Sequence, residues 1–474
     1  MRYGKKGLIL VVAVLMISFF VPLFLQDTDN GRIHQHREAI KKPSCEHEDG
    51  RFCTHLPLVS IETGGLEVPG GDGSKDVITV SMKVFDDHKE RNHLTDEVTI
   101  DTLANIRYRG NSSLLFDKKG YMVKLVDEDG LERKEEIMGM EKHDEWVLHG
   151  PFLDKTLIRN YMCYNISGEI MEWAPNVRFC ELFVDGNYQG IYLMEETISR
   201  GDGNGRVPVE KASKDQPYSG YIIRVDRDAG TEERHLDTFG EYSLRNTVVA
   251  GARYPAKEAL TEPLRIYIEH DFSRFEKALY SYDYDDIKYG FINDIDVNSF
   301  VDYALINDFT MNADAGHFST FVYKNPGGKL KMLVWDFNNS FNNYQEVEYA
   351  YDQFFMTDRL WYFMLFKDED FVRSYIHRYH QLRKTYLSED YWLNYVDETV
   401  AYLGEAIDRN FEVWGYTFVQ EEDLLEPASR NARSYDEAIE DLKTAIIKRG
   451  EMMDRYVETT RQFCHDSKNK KFNH

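Results

Sequence analysis

Cysteine is scarce in this sequence, which holds only five among 474 residues. No two cysteines have the C-x-x-C spacing of a zinc or dithiol redox site, and no His-x-x-x-His pair accompanies them, which argues against a zinc enzyme. Cys45 is placed to close a short loop with Cys53, and Cys163 to meet Cys180. The spacing does not decide the pairing, and one cysteine is left over.

Positive charge is also in short supply. The chain has 57 Lys and Arg against 82 Asp and Glu, a formal net charge of -25. An excess of negative charge repels a polyanion and therefore argues against nucleic-acid binding. It is compatible with a basic protein partner, and equally with an acidic surface that only keeps the protein soluble.

A long apolar run, Leu8 to Leu25, lies near the start of the chain and follows basic residues. Its length is close to the roughly 20 residues that span a bilayer, and the preceding positive charge predicts that the remainder is exported. No small-x-small cleavage site follows, so we predict an uncleaved signal anchor over residues 1–26, with a removed signal peptide as the alternative. Residues 27–55 are predicted to form a polar tether, and residues 461–474 a polar tail.

Two kinds of periodicity divide the rest of the chain. Apolar residues alternate in the run Val77–Val84, as in a half-buried strand; Tyr221–Asp226 is predicted to be another strand, and the turn Asp185–Asn187 predicts a hairpin. From Tyr254 onward the spacing is mainly helical, as in Asn298–Met311. We therefore predict an α+β protein with a β-rich N-terminal part and a largely helical C-terminal part.

The stretch from Asn312 to Asn343 carries the strongest chemical signal. Two apolar runs flank a Pro-Gly-Gly turn, which predicts a hairpin; Asp314 precedes it, and Asp336 and Asn338 follow it. Such a hairpin brings the two carboxylates near each other. One carboxylate then orients a nucleophile, while the other, with a side-chain amide, holds a divalent metal on phosphate oxygens. The alternative is that both aspartates only cap turns.

A second signal is a turn that follows a strand. The turn Arg109-Gly110-Asn111-Ser112-Ser113 offers backbone N–H groups and hydroxyls, which suits a phosphate cradle, although many such turns have no further role. Lys124 on the returning strand can reach the same phosphates.

A helix is predicted to begin at Asp154, its candidate cap, and to run to about Glu172. Arg159 in its first turns binds either an anion or merely an acidic neighbour.

Taken together, these segments resemble the CotH family of spore-coat-type atypical protein kinases over about residues 56–460. The resemblance is carried, in chain order, by Arg109–Ser113, Tyr121–Lys124, Trp146–Leu148, Asp154–Asn160, Gly190–Glu195, Asn312–Asp314 and Trp335–Asn338. It implies a divergent protein-kinase fold with an N-terminal lobe over about 56–225 and a C-terminal lobe over about 226–460. It also implies transfer of phosphate from ATP, with Mg²⁺ or Mn²⁺, to Ser or Thr of protein substrates.

The resemblance also implies roles for single residues. The turn Arg109–Ser113 takes the place of the glycine-rich loop, Lys124 that of the phosphate-binding lysine, and Glu195 lies on the strand leading to the adenine region. Asp314 is then the catalytic base, and Asp336 holds the metal with help from Asn338. Asn312 and Arg159 support the site, and Glu169 is a candidate partner for Lys124.

The sequence departs from the family at one metal position. Many relatives carry Trp-Asp-x-Asp, so Asn338 removes one charge, although an amide oxygen still coordinates magnesium. An inactive surface binding or adhesion protein on the same fold therefore remains the alternative to a membrane-anchored kinase outside the cytoplasm. A Ser/Thr-rich or basic protein substrate is the family expectation.

Overall fold

The computed structural model describes residues 32–43, 52–110, 112–201, 206–213, 215–227, 234–243, 248–343, 348–419 and 430–466. The predicted signal anchor, Cys45, Asn111 and the predicted tail beyond Asp466 lie outside these residues. The chain divides into two units after Ile33, and the unit described below begins at His34.

Seven strands of the N-terminal part form a closed barrel. In chain order they are β1 (Leu58–Glu62), β2 (Ile78–Phe85), β3 (Ile100–Arg109), β4 (Gly120–Val126), β5 (Glu145–His149), β6 (Val177–Val184) and β7 (Asn187–Glu196). Neighbours are antiparallel except β1 and β6, whose parallel pairing places Leu58 opposite Glu181 and closes the barrel. Val80, Met82 and Val84 of β2 point into the barrel core, as the period of two requires. The predicted β-rich N-terminal part is confirmed; its closure was not predicted.

A second sheet has four strands, β8 (Tyr221–Asp226), β9 (Val249–Tyr254), β10 (Thr320–Lys324) and β11 (Lys331–Leu333). Their order in the sheet is β11-β10-β8-β9. The predicted hairpin is confirmed, since β10 and β11 pair antiparallel with Phe321 opposite Leu333. On its other side β10 pairs with β8, Thr320 opposite Val225.

Helices make up most of the C-terminal part, as predicted. The α-helices of the described residues are α1 (Gln35–Glu38), α2 (Arg159–Ile170), α3 (Phe239–Ser243), α4 (Glu262–Leu279), α5 (Val297–Phe309), α6 (Tyr362–Leu365), α7 (Glu369–Leu382), α8 (Glu389–Leu403), α9 (Glu405–Trp414) and α10 (Tyr435–Tyr456). Within the ranges given above, no helix has both the length and the apolar character needed to cross a bilayer.

Helix α2 begins five residues later than predicted, at Arg159 rather than Asp154. Leu157 has φ 66°, which breaks a helix, and Asp154 closes a turn by accepting from the N–H groups of Thr156 (3.1 Å) and Arg159 (2.9 Å). Asp154 therefore precedes a turn, and its side chain accepts from the N–H of Arg159, the first residue of the helix. The predicted helix exists, and its predicted start was wrong.

Helix α2 lies between the barrel and the helical part. Phe179 of β6 and Leu193 of β7 belong to the same apolar cluster as Tyr161 and Ile166 of α2 and Phe309 of α5. This cluster is separate from the one that fills the barrel. Helix α2 thus packs against the barrel wall and shares one apolar cluster with the helices of the C-terminal part.

Part of the predicted tether packs on the domain. In the segment 34–43, His34 Nε2 lies 2.7 Å from Glu169 Oε1, and His36 Nδ1 lies 2.8 Å from Tyr161 Oη, so both histidines bind α2. These buried polar contacts give the segment a defined position, which composition alone did not indicate.

Arg449 of α10 fastens the end of α5 to a later loop. Its buried guanidinium donates to the backbone carbonyls of Asp308 (2.7 Å), Tyr351 (2.6 Å) and Gln353 (2.6 Å). A buried cation requires such compensation. The last long helix therefore holds the segments on both sides of the β10–β11 hairpin.

The candidate disulfide between Cys163 and Cys180 is not formed, and both residues are buried free thiols. Cys180 lies in the barrel core, whereas Cys163 lies in the cluster outside the barrel wall. The two side chains are thus on opposite sides of the sheet, where a disulfide cannot join them.

We predict that Glu276 of α4 makes folding stability depend on pH. This carboxyl is 3% exposed, it accepts hydrogen bonds from Gly240 N–H (2.6 Å) and Trp361 Nε1 (3.1 Å), and burial raises its pKa from 4.5 to about 7. The unfolded chain ionises first, so this stabilisation is full below about pH 4.5 and is lost as the pH rises to about 7. The loss is about 3 kcal/mol.

Urea unfolding at about pH 5 and about pH 8 measures this effect. Glu276→Gln should have a smaller difference in stability between the two pH values than the wild type. Glu262→Gln, at the exposed start of the same helix, should behave like the wild type. Equal pH dependence of the wild type and Glu276→Gln would contradict the prediction.

Candidate active site

Asp314 and Asp336 lie at the two ends of the β10–β11 hairpin and face one site. Burial raises the pKa of Asp336 to about 6, Arg109 opposes this rise, and the negative charge of Asp314 adds to it. Burial also raises the pKa of Asp314, against the positive charge of Arg227. A hydrogen bond from Asn312 Nδ2, two residues before Asp314, to the Asp336 carbonyl (3.2 Å) joins the two loops. The hairpin thus brings together the two acids that the sequence places far apart.

The backbone at Asp336 is unusual, with φ 63°, a left-handed conformation that is rare outside glycine. Three side chains bind the backbone groups of Asp336 and of the next residue, Phe337. The Asp336 N–H donates to Tyr164 Oη (3.0 Å), the Asp336 carbonyl accepts from Asn312 Nδ2 (3.2 Å), and the next N–H, of Phe337, donates to Asn160 Oδ1 (2.9 Å). Asn312, predicted only as a supporting residue, therefore joins the turn of Asp314 to the loop of Asp336.

Arg109 is a cation that faces this loop. Its guanidinium lies 5.7 Å from the centre of the Trp335 ring, and its charge opposes the rise in the pKa of both Asp336 and Glu195. Glu195 is buried, accepts from Asn160 Nδ2 (3.1 Å), and has a pKa raised by burial to about 8. Arg109 and Glu195 were predicted to lie near the nucleotide. In the structure both are close enough to Asp336 to interact with its charge.

The turn after β3 needs its glycine. Gly110 has φ 134°, and a Cβ at this position would stand 1.8 Å from Ser113 Oγ. Ser112 and Ser113 begin a short 3-10 turn that ends at Leu115. The positive φ favours glycine at this position, and the predicted role of the turn as a phosphate cradle stays a prediction.

The Lys124 side chain binds two carboxylates. Its Nζ contacts Glu132 Oε1 (2.8 Å) and Asp144 Oδ2 (3.6 Å), and its side chain is 39% exposed. The candidate pair of Lys124 with Glu169 was wrong, because Glu169 binds His34. Lys124 lies on β4 and Glu169 on α2. The sequence pattern of polar residues does not indicate which of them form ion pairs.

Arg159 has an acidic neighbour, as one of the two readings predicted. Its buried Nη1 donates to Asp154 Oδ1 (2.6 Å), and its Nε donates to the carbonyl of Ser340 (3.0 Å), shortly after Asn338. Arg159 is thus a structural residue that ties α2 to the loop carrying Asp336.

Asp226 is a third acid of the site, which the sequence reasoning missed. It ends β8, it is buried, and its negative charge contributes to the raised pKa values of both Asp314 and Asp336. Arg224 Nε donates to it at 2.9 Å. An acid at the end of a buried strand was a visible signal, but the pairing of β8 with β10 was needed to place it.

The side chain of Asn338 offers a free oxygen. Its Oδ1 is buried and has no hydrogen-bond partner in the part of the chain that the structure describes. In that same part, no three His, Cys, Asp or Glu side chains form a group that could hold a metal ion. Amide and carboxylate oxygens are both ligands suited to Mg²⁺.

Comparison with known families gives one match. A family described as CotH kinase protein matches residues 106–453, from within β3 to within α10. The matched range contains every residue of the site described above and leaves out β1 and β2. No curated protein matches the chain.

We predict that the buried ion pair of Arg159 with Asp154 stabilises the fold more than the exposed ion pair of Lys124 with Glu132. Asp154→Ala leaves the Arg159 guanidinium buried without its carboxylate and should lower the free energy of unfolding by about 3 kcal/mol or more. Lys124→Ala breaks an exposed ion pair and should change it by about 1 kcal/mol at most. Urea unfolding at neutral pH measures both; equal losses would contradict this distinction.

Proposed function

The chain belongs to the CotH kinase protein family, and from this we propose that it transfers the γ-phosphate of ATP to Ser or Thr hydroxyls of protein substrates. The observation that carries the proposal is that one hairpin, together with the hydrogen bond from Asn312 to the Asp336 carbonyl, brings the segments of Asp314 and Asp336 together, with Arg109 against Trp335. We also propose that the barrel and the helical part correspond to the two lobes of a divergent protein-kinase fold.

In this proposal Asp314 is the base. Its carboxylate takes the proton of the acceptor hydroxyl, and the hydroxyl oxygen forms a bond to the γ-phosphorus. The bond from that phosphorus to the bridging oxygen breaks, and ADP leaves with it. Burial, which raises the pKa of Asp314, brings its basicity closer to the working pH.

Asp336 and Asn338 would hold Mg²⁺ or Mn²⁺. The observation that supports the fit is the buried, unpartnered Oδ1 of Asn338 among the described residues, close in sequence to the carboxylate of Asp336. When bound, the ion neutralises charge on the phosphate oxygens. The protein's part is to keep these two oxygen donors in place.

Arg109 is the proposed cation for the phosphates. It belongs to the glycine-containing turn and its charge already acts on Asp336, and a guanidinium can bind two phosphate oxygens at once. Lys124, which the family resemblance put in this role, contacts Glu132 and Asp144 instead. It would have to leave these carboxylates to reach a nucleotide at Asp336.

The position of Lys124 supports a second candidate function, a protein that binds nucleotide or a partner without turnover. Both functions use the same site, and they differ only in phosphate transfer. The membrane anchor over residues 1–26, a position outside the cytoplasm and a basic or Ser/Thr-rich substrate are further parts of our proposal; the net charge of -25 supports the basic partner.

We expect the full chain to transfer labelled γ-phosphate from ATP to itself or to a generic basic protein when Mg²⁺ or Mn²⁺ is present. Asp314→Asn and Asp336→Asn each remove one charge with little change in shape, and each should lower the rate by about 100-fold or more. Asp397→Asn, an exposed acid of α8, should leave the rate unchanged.

Transfer that survives in both site variants would contradict the assignment of Asp314 and Asp336. Nucleotide binding by the wild type with no transfer to any acceptor would favour the second candidate.

A further inference from the structure

We propose that Tyr164 and Asn160 of α2 are positioning residues that hold Asp336 in the conformation from which it binds the metal ion. Neither residue needs to touch substrate for this role. The inference rests on the metal role of Asp336 in the proposed function, and it assigns to α2 a part that the family match does not assign.

The geometry that supports this inference is a set of two hydrogen bonds from one helix to successive backbone N–H groups. Tyr164 Oη accepts from Asp336 N–H at 3.0 Å, and Asn160 Oδ1 accepts from Phe337 N–H at 2.9 Å. The two residues are four positions apart, one turn of α2, and therefore lie on the same face of the helix. The ring of Phe337 packs edge-on against that of Tyr164, with centroids 5.7 Å apart.

The conformation of Asp336 explains why it needs such support. An aspartate at φ 63° lies in the left-handed region, which costs free energy for any residue with a Cβ. Without partners for its backbone groups, the residue returns to a right-handed or extended conformation, and its carboxylate then points elsewhere. Ligands of a metal depend on the groups that orient them.

The helix itself is firmly placed. Arg159, at its start, bonds to Asp154, which lies outside the Asp336 loop. On another face, Tyr161 Oη contacts His36 of the N-terminal segment at 2.8 Å. The position of α2 is thus set independently of Asp336, as a positioning element requires.

Tyr164→Phe and Tyr161→Phe make a matched pair for the test. Both tyrosines are fully buried on the same helix, and each substitution removes one hydrogen-bonded hydroxyl. Only the hydroxyl of Tyr164 touches the Asp336 loop. The full-length variants are compared in Mn²⁺ binding with ADP present, measured by electron paramagnetic resonance, and in amide hydrogen exchange at Asp336 and Phe337.

Tyr164→Phe should weaken Mn²⁺ binding by about tenfold or more and speed amide exchange at Asp336. Tyr161→Phe should leave both unchanged. Equal Mn²⁺ affinity in the two variants would overturn the inference while leaving the proposed function in place. No Mn²⁺ binding by the wild type would overturn the metal role of Asp336, and the inference with it.

Substitutions at Asn160 give a second test. Asn160→Asp keeps an acceptor for the Phe337 N–H, whereas Asn160→Ala does not. Asn160→Asp should keep Mn²⁺ affinity close to that of the wild type, and Asn160→Ala should lose about tenfold. Equal losses in both variants would overturn the role of Asn160.

Discussion

The peptide between Asp336 and Phe337 is the point on which the rest of the site depends. Its carbonyl accepts from Asn312, which precedes Asp314 by two residues, and its N–H donates to Asn160 of α2. A left-handed aspartate costs free energy, and both hydrogen bonds offset part of this cost. The barrel behind α2 and the helices around Asn312 must therefore be packed together before the two carboxylates can share a site.

Sequence patterns predicted the strands and hairpins that form between residues close together in the chain. Strand β8 has the bounds predicted from the sequence, and the hairpin carrying Asp314 and Asp336 formed as expected. The parallel pairing of β1 with β6 joins residues more than 100 positions apart, and nothing local encodes it. The same limit hid Asp226, whose place depends on the pairing of β8 with β10, and the contacts of Lys124, since a lone charged residue gives no sign of its partner.

The site combines opposite charges within a strongly acidic protein. The positive charges of Arg109 and Arg224 lower the pKa of Asp336, against the effect of burial. Those of Arg227 and Arg359 do the same for Asp314. A surface of net negative charge repels a nucleoside triphosphate in general, and a few arginines in one place then determine where it is held. The arginines of the site thus fit the proposed function, because they offer the polyphosphate a favourable position that an acidic surface otherwise lacks.

Arg449 is synthesised after all three of the segments that its side chain binds. This one side chain, in the last long helix, holds the carbonyl of Asp308 and those of two residues beyond the hairpin. Synthesis runs from the N-terminus, so the barrel is complete long before the segments around the hairpin acquire this partner. A nascent chain that stops before α10 therefore has Asp314 and Asp336 but lacks the cation that fastens the segments on both sides of their hairpin.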